Sequence, residues 1–99
     1  MRIHKYEIPA QPGSYPMRFP VNSRIISAAL KSGMLAVWAE VEPAVSVFAV
    51  KMIHVLPTGY EDVPPFARHI ATILDGDLVW HVYEQVPVDQ AAMTRTRST

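Results

Sequence analysis

The residues of this chain best suited to chemistry are four histidines: His4, His54, His69 and His81. An imidazole can ligate a metal or move a proton near neutral pH. Either use needs partners at fixed spacing, and the sequence holds no HxH, no HExxH and no cysteine to complete a zinc set. Nucleophilic catalysis lacks its parts too. There is no G-x-S-x-G elbow, no S-x-x-K, and the glycines Gly13, Gly33, Gly59 and Gly76 are dispersed among turns where no phosphate cradle or oxyanion site forms. Carboxylates are sparse, and Glu61-Asp62 stand in a loop without an obvious partner. The expectation is a non-enzymatic protein with no cofactor and no metal.

Recognition chemistry is better represented. Tryptophan, tyrosine and arginine dominate the energetic centres of protein interfaces. Trp38, Arg68, His81 and Tyr83 are the residues we expect on outward-facing strand positions, and hence in contact with a partner. The same aromatics could stack a nucleobase, which keeps a nucleotide ligand as an alternative. A generic nucleic-acid binder is disfavoured. Nine basic residues balance nine acidic ones, so the chain has no cationic field with which to displace counterions from phosphates. A net charge of zero also leaves little self-repulsion, which favours a homo-oligomer.

Positioning those side chains requires strands. Ninety-nine residues make one domain, and 49% hydrophobic against 18% charged residues supply a packed core. The first strand spans residues 3–8, closed by Pro9, Pro12 and Gly13. A short edge strand spans 15–19, where flanking Pro16 and Pro20 are tolerable because one side is unpaired. Residues 24–30 and 34–41 form a hairpin around Ser32-Gly33, with Ile26, Ala28, Leu30, Leu35, Val37, Ala39 and Val41 on the core face. Trp38 falls on the opposite, more polar face. Residues 45–55 are apolar on both faces, as in a central strand, and Leu56-Pro57-Thr58-Gly59 fits a type I turn.

The most informative stretch is 67–84, a hairpin centred on Asp75-Gly76, a dipeptide suited to a type I′ turn. One face carries His69, Ala71, Ile73, Trp80, Val82 and Glu84, with Trp80 lying over Ala71 in the core. Burial of that indole contributes on the order of 3 kcal/mol. The other face carries Arg68, Thr72, His81 and Tyr83. On this register His69 and His81 point apart and cannot share an ion, His69 reaches Glu84, and Arg68 stacks on Tyr83. Strand is preferred for 66–74; the alternative is a short helix near residues 64–74, capped by Asp62 and closed by Gly76.

Several strings together resemble a known family. Ile3-x-Lys5-Tyr6, the run MLAVWAEVEP at 34–43, LPTG at 56–59 and GDLVWHVYE at 76–84 are similar to elements of short, uncharacterised phage and prophage proteins. Members of that family read K-Y near the start, N-G-x-L-x-L-W-x-x-V-D-P, a G-T-G element and a closing L-V-W-H-V-F-E. The likeness covers residues 2–85. Ser32-Gly33 stands in place of Asn-Gly and Glu42 in place of Asp, and neither disturbs a turn; Thr58-Gly59 lacks the first glycine of G-T-G. The resemblance implies a small β-rich phage protein and names no ligand.

The expectation is therefore an all-β domain over residues 1–85, with six or seven antiparallel strands in a sandwich or partly closed barrel. Residues 86–99 read as a disordered tail. The expected role is a phage or prophage accessory protein, in the cytoplasm of the host cell, that binds and inhibits a host protein such as a defence component. The alternatives are a nucleotide-sequestering protein and a phage structural or assembly protein. The N-terminus is no signal peptide, and the apolar run at 44–56 is too short and too often interrupted to span a bilayer.

Overall fold

Period-two alternation drives seven strands, and the computed structural model describes them within residues 1–86. They are β1 (Arg2–Pro9), β2 (Gly13–Pro20), β3 (Arg24–Lys31), β4 (Met34–Val41), β5 (Phe48–Pro57), β6 (Arg68–Asp75) and β7 (Leu78–Gln85). All pairings are antiparallel. One sheet has the order β1-β4-β3 and the other β2-β5-β7-β6. They form a sandwich and do not close into a barrel. Residues 64–74 contain no helix: 64–67 are loop and turn, and β6 follows. β-branched Ile70, Thr72 and Ile73 fit the pleat better than a helix. The proposed tail falls, apart from Val86, outside the described residues.

The prolines explain which strands are edges. β1 and β2 end or continue through Pro9, Pro16 and Pro20, and both lie at a sheet margin where a missing donor costs little. β5 is central, between β2 and β7, and its second half is buried on both faces from Ile53 to Leu56. Its first three predicted residues, Val45 to Val47, precede the strand.

The two tight hairpins differ. Ser32 and Gly33 both have positive φ (52° and 78°), the requirement of a type I′ turn. At the other hairpin Asp75 pairs with Leu78, so the loop is Gly76-Asp77, one residue later than the Asp-Gly signal suggests. Only Gly76 has positive φ (59°), as in type II′. The shift sets Trp80 opposite Ile73 instead of Ala71. The turn after β5 also moves by one: Tyr60 N–H donates to Pro57 O, with Gly59 at positive φ in third position, as in type II.

Side chains from both sheets fill the interior: Ile8, Phe19, Ile25, Leu35, Val37, Val41, Ile53, Val55, Ile73, Trp80 and Val82. Two irregularities alter the expected faces. The β3–β4 register shifts between Ile25 and Ser27, and the β6–β7 register between His69 and Ala71. Each inserts one unpaired residue, Ile26 or Ile70, and a bulge inverts the alternation beyond it. Ile25 is therefore the core residue where Ile26 was expected, while Leu30 at the strand end is exposed.

Candidate functional site

The second bulge rearranges the start of β6, while Ile73, Trp80 and Val82 keep the expected core face. Beyond Ile70, Arg68 turns to the core side and pairs with Glu84, while His69 turns outward and pairs with Tyr83. Arg68 does not stack on Tyr83, and His69 does not reach Glu84. Instead Glu84, only 12% exposed in its side chain, accepts from Arg68 Nε at 2.6 Å and from Lys51 Nζ at 3.3 Å. Arg68 also donates to Ile25 O at 2.9 Å, and Lys51 donates to Ser23 O at 3.1 Å. These bonds run from β5 and β6 of one sheet to β3 and its leading residue. Arg68 thus fastens the two sheets together. Its side chain stays 55% exposed beside these bonds.

His69, Tyr83 and His81 lie together on the outer face of the four-stranded sheet. The His69 and Tyr83 rings meet edge to face at 5.3 Å. A chain of hydroxyls and imidazoles runs across the strands: His69 Nε2 lies 3.0 Å from Thr72 Oγ1, which lies 3.1 Å from His81 Nδ1. His81 Nε2 then lies 2.8 Å from Thr58 Oγ1. His69 and His81 are therefore neighbours linked through Thr72, where the unbulged register had set them apart. Among the described residues no group of three or more His, Asp or Glu is placed to hold a metal ion.

The loop after β5 borders this face. With His81 and Tyr83 it encloses a shallow hollow of about 190 Å³, lined also by Leu56, Pro57, Tyr60 and Val63. A second polar relay holds the far end of the loop. Gln85 Nε2 donates to Pro65 O at 2.8 Å, which leaves Gln85 Oε1 to accept from His54 Nε2 at 2.8 Å. His54, 6% exposed, then presents Nδ1 as acceptor for the Ser14 hydroxyl at 2.7 Å. Every hydrogen-bonding atom of a buried imidazole is thereby satisfied, which is the condition for burying it. Sequence spacing could not show this relay, because its members come from β2, β5 and β7.

Trp38 stands elsewhere. It is half-buried at the middle of β4, on the outer face of the three-stranded sheet, between Lys5 of β1 and Ser27 of β3. Exposed Ile3 and the ion pair of Arg24 with Glu40 (3.5 Å) share that face. The four expected contact residues thus divide: Trp38 on one outer face, His81 and Tyr83 on the other, and Arg68 half-exposed at the margin where it bonds across to β3. One exposed aromatic was not among the expected contacts. Phe66, at the loop tip, is 99% exposed with φ at 64°. Its signal is the position after Pro64-Pro65, where an aromatic has no strand to bury it.

Fold and surface define an all-β sandwich with two unlike outer faces, one centred on tryptophan and one on imidazoles and tyrosine. The profile of a family described as a domain of unknown function (DUF7352) matches residues 1–92, and the chain belongs to that family. No curated protein and no solved structure matches it. No helix among the described residues is long and apolar enough to cross a membrane.

Proposed function

We propose that this chain is a non-enzymatic accessory protein of a phage or prophage that binds and blocks a host protein, such as a component of a defence system. The observation that carries the reading is Trp38. A half-buried indole on the central strand of an outward sheet face, with Lys5 beside it and Ile3, Arg24 and Glu40 around it, has the make-up of an interface centre: an aromatic anchor within a charged rim. The phage assignment is supported by the resemblance of the strings at 34–43 and 76–84. The hollow beside His81 and Tyr83 favours a nucleotide less, since about 190 Å³ lies below the ~300–1,000 Å³ of sites that enclose small ligands.

The test is affinity capture from host-cell lysate with the wild-type chain and with Trp38→Ala and Tyr83→Ala, singly and together. Trp38→Ala is expected to lose the captured host protein, because truncating an interface tryptophan costs about 2 kcal/mol or more, roughly thirtyfold in affinity. Capture lost only with Tyr83→Ala moves the site to the other face. Capture that survives the double substitution overturns the site assignment.

A further inference from the structure

We propose that Ser14 is an activated nucleophile that takes an acyl group from an activated ester, one group per chain. The relay through His54 fixes its own proton positions, starting from its far end. Pro65 O can only accept a hydrogen bond, so the Gln85 amide must turn Nε2 towards it, at 2.8 Å. Gln85 Oε1 is then the atom 2.8 Å from His54 Nε2, and an amide oxygen only accepts, so Nε2 carries the imidazole proton. His54 Nδ1 is left with a bare lone pair, and the Ser14 hydroxyl, 2.7 Å away, must donate to it. A hydroxyl bonded to an imidazole whose other nitrogen is held by a third group is the arrangement that activates a nucleophile.

Burial and access divide between the two partners as this chemistry requires. His54 is 6% exposed, whereas Ser14 is exposed on β2, an edge strand. The base is sheltered, and the oxygen it serves is open to a reagent. Pro16 shows which way the backbone of β2 faces. A proline has no N–H to give to β5, and residues two apart on a strand point their amides the same way, so Ser14 N–H is directed at the open edge. The bond from Val21 N to Val47 O, which extends the β2–β5 ladder on odd-numbered residues, agrees with that alternation. Hydroxyl and amide of Ser14 are thus available together, the first to attack an acyl carbon and the second to stabilise the oxyanion that forms.

Attack forms the bond from Ser14 Oγ to the acyl carbon as the hydroxyl proton passes to His54 Nδ1. Collapse of the tetrahedral adduct breaks the bond to the leaving aryloxide or thiolate, which takes that proton from the imidazolium. The products are an O-acyl serine, a phenol or thiol, and a neutral imidazole. One amide donor makes a weak oxyanion site, since each missing donor costs about 10²–10³ in rate. An aryl ester or thioester tolerates that loss because its leaving group is good; a peptide or an alkyl ester does not. The acylated Ser14 is itself an alkyl ester, so water removes the group slowly and it stays on the chain. This is transfer to the protein and not turnover. It goes beyond the host-binding reading and leaves the Trp38 face, on the other sheet, untouched.

p-Nitrophenyl acetate, offered in excess to the full 99-residue chain, tests this without any host partner. Peptide mapping by mass spectrometry follows acetylation at each serine, and exposed Ser32 and Ser46 serve as references within the same molecule. Ser14 is expected to acetylate about a hundredfold faster than either, the lower end of what a positioned base supplies. His54→Asn should bring Ser14 down to the rate of the references, with the fold checked by circular dichroism. Gln85→Leu, which frees the imidazole to turn, should slow Ser14, while Gln85→Glu, which keeps an acceptor for Nε2–H, should recover most of the rate. Equal rates at Ser14, Ser32 and Ser46 in the wild-type chain overturn the proposal whether or not any variant folds. A Ser14 rate unmoved in folded His54→Asn overturns it too, by showing the relay to be structural. Release of p-nitrophenol that continues past one equivalent, and stops with Ser14→Ala, overturns the persistence of the acyl group and the non-enzymatic reading with it. Capture of a host protein is not needed here, so slow acetylation of Ser14 leaves the Trp38 contact standing, and loss of that contact leaves Ser14 reactive.

Discussion

Trp80→Ala should be the most destabilising single substitution in this chain. The indole is 4% exposed and lies in the core between the sheets, opposite Ile73, while its Nε1–H donates to Asp75 Oδ2 at 3.0 Å. A buried aromatic of this size removes roughly 200 Å² from water, worth about 5 kcal/mol at 25 cal/mol/Å². Residual compactness of the unfolded chain lowers that to about 4 kcal/mol, within the ~3–5 kcal/mol measured for such truncations. The hydrogen bond adds little, because half-buried Asp75 recovers water when the indole is removed. A domain of this length has a total stability of roughly 4–13 kcal/mol, so the substitution consumes a third of it or all of it. The melting temperature should fall by about 16–32 °C. Urea unfolding followed by far-UV circular dichroism measures the change, with Trp38 left as an independent fluorescence probe. Trp80→Phe, which keeps most of the ring and loses the N–H, should cost about 1–2 kcal/mol. A loss below about 2 kcal/mol for Trp80→Ala would refute the reasoning, by showing that the sheets close over the space.

Two other perturbations address the polar elements of the fold. Glu84→Ala strands Lys51, whose side chain is 20% exposed, and releases Arg68, so we expect a loss of about 2–3 kcal/mol in urea unfolding, below the full cost of breaking a buried pair because Arg68 can rehydrate. Lys51→Met together with Glu84→Leu should recover much of it, and an undiminished stability in Glu84→Ala would show the clasp to be idle. Burial raises the pKa of the Tyr6 phenol above its ordinary value of 10.0. The unfolded chain then ionises first, binds fewer protons than the folded one, and gains on it as pH climbs past 10. Stability is full below that pH and is lost as pH rises through the folded value; Tyr6→Phe should flatten the decline, which a series of alkaline melts would reveal.

What could be read in the sequence, and what could not, divides at the two bulges. Hairpins, edge strands and the central strand follow from local chemistry: positive-φ residues at turns, prolines at margins, and apolar residues on both sides of β5. Trp80, Val37 and Val82 are core in the structure as alternation requires. Alternation carries no information about an inserted residue, however, and one insertion inverts every face beyond it. Ile26 and Ile70 are ordinary strand residues by composition, so nothing local marks them. Their positions acquire meaning only in three dimensions. The bulge at Ile26 brings Ile25 into the core, the bulge at Ile70 turns Arg68 inward, and the guanidinium of Arg68 then bonds Ile25 O. The two irregularities therefore meet at the margin where β3 and β6 approach, and together they join sheets that have no shared ladder there. The same inversion moves His69 outward beside Tyr83 and, through Thr72, towards His81. One inserted isoleucine thus accounts both for a half-exposed arginine turned toward the opposite sheet and for the imidazole face that took its place.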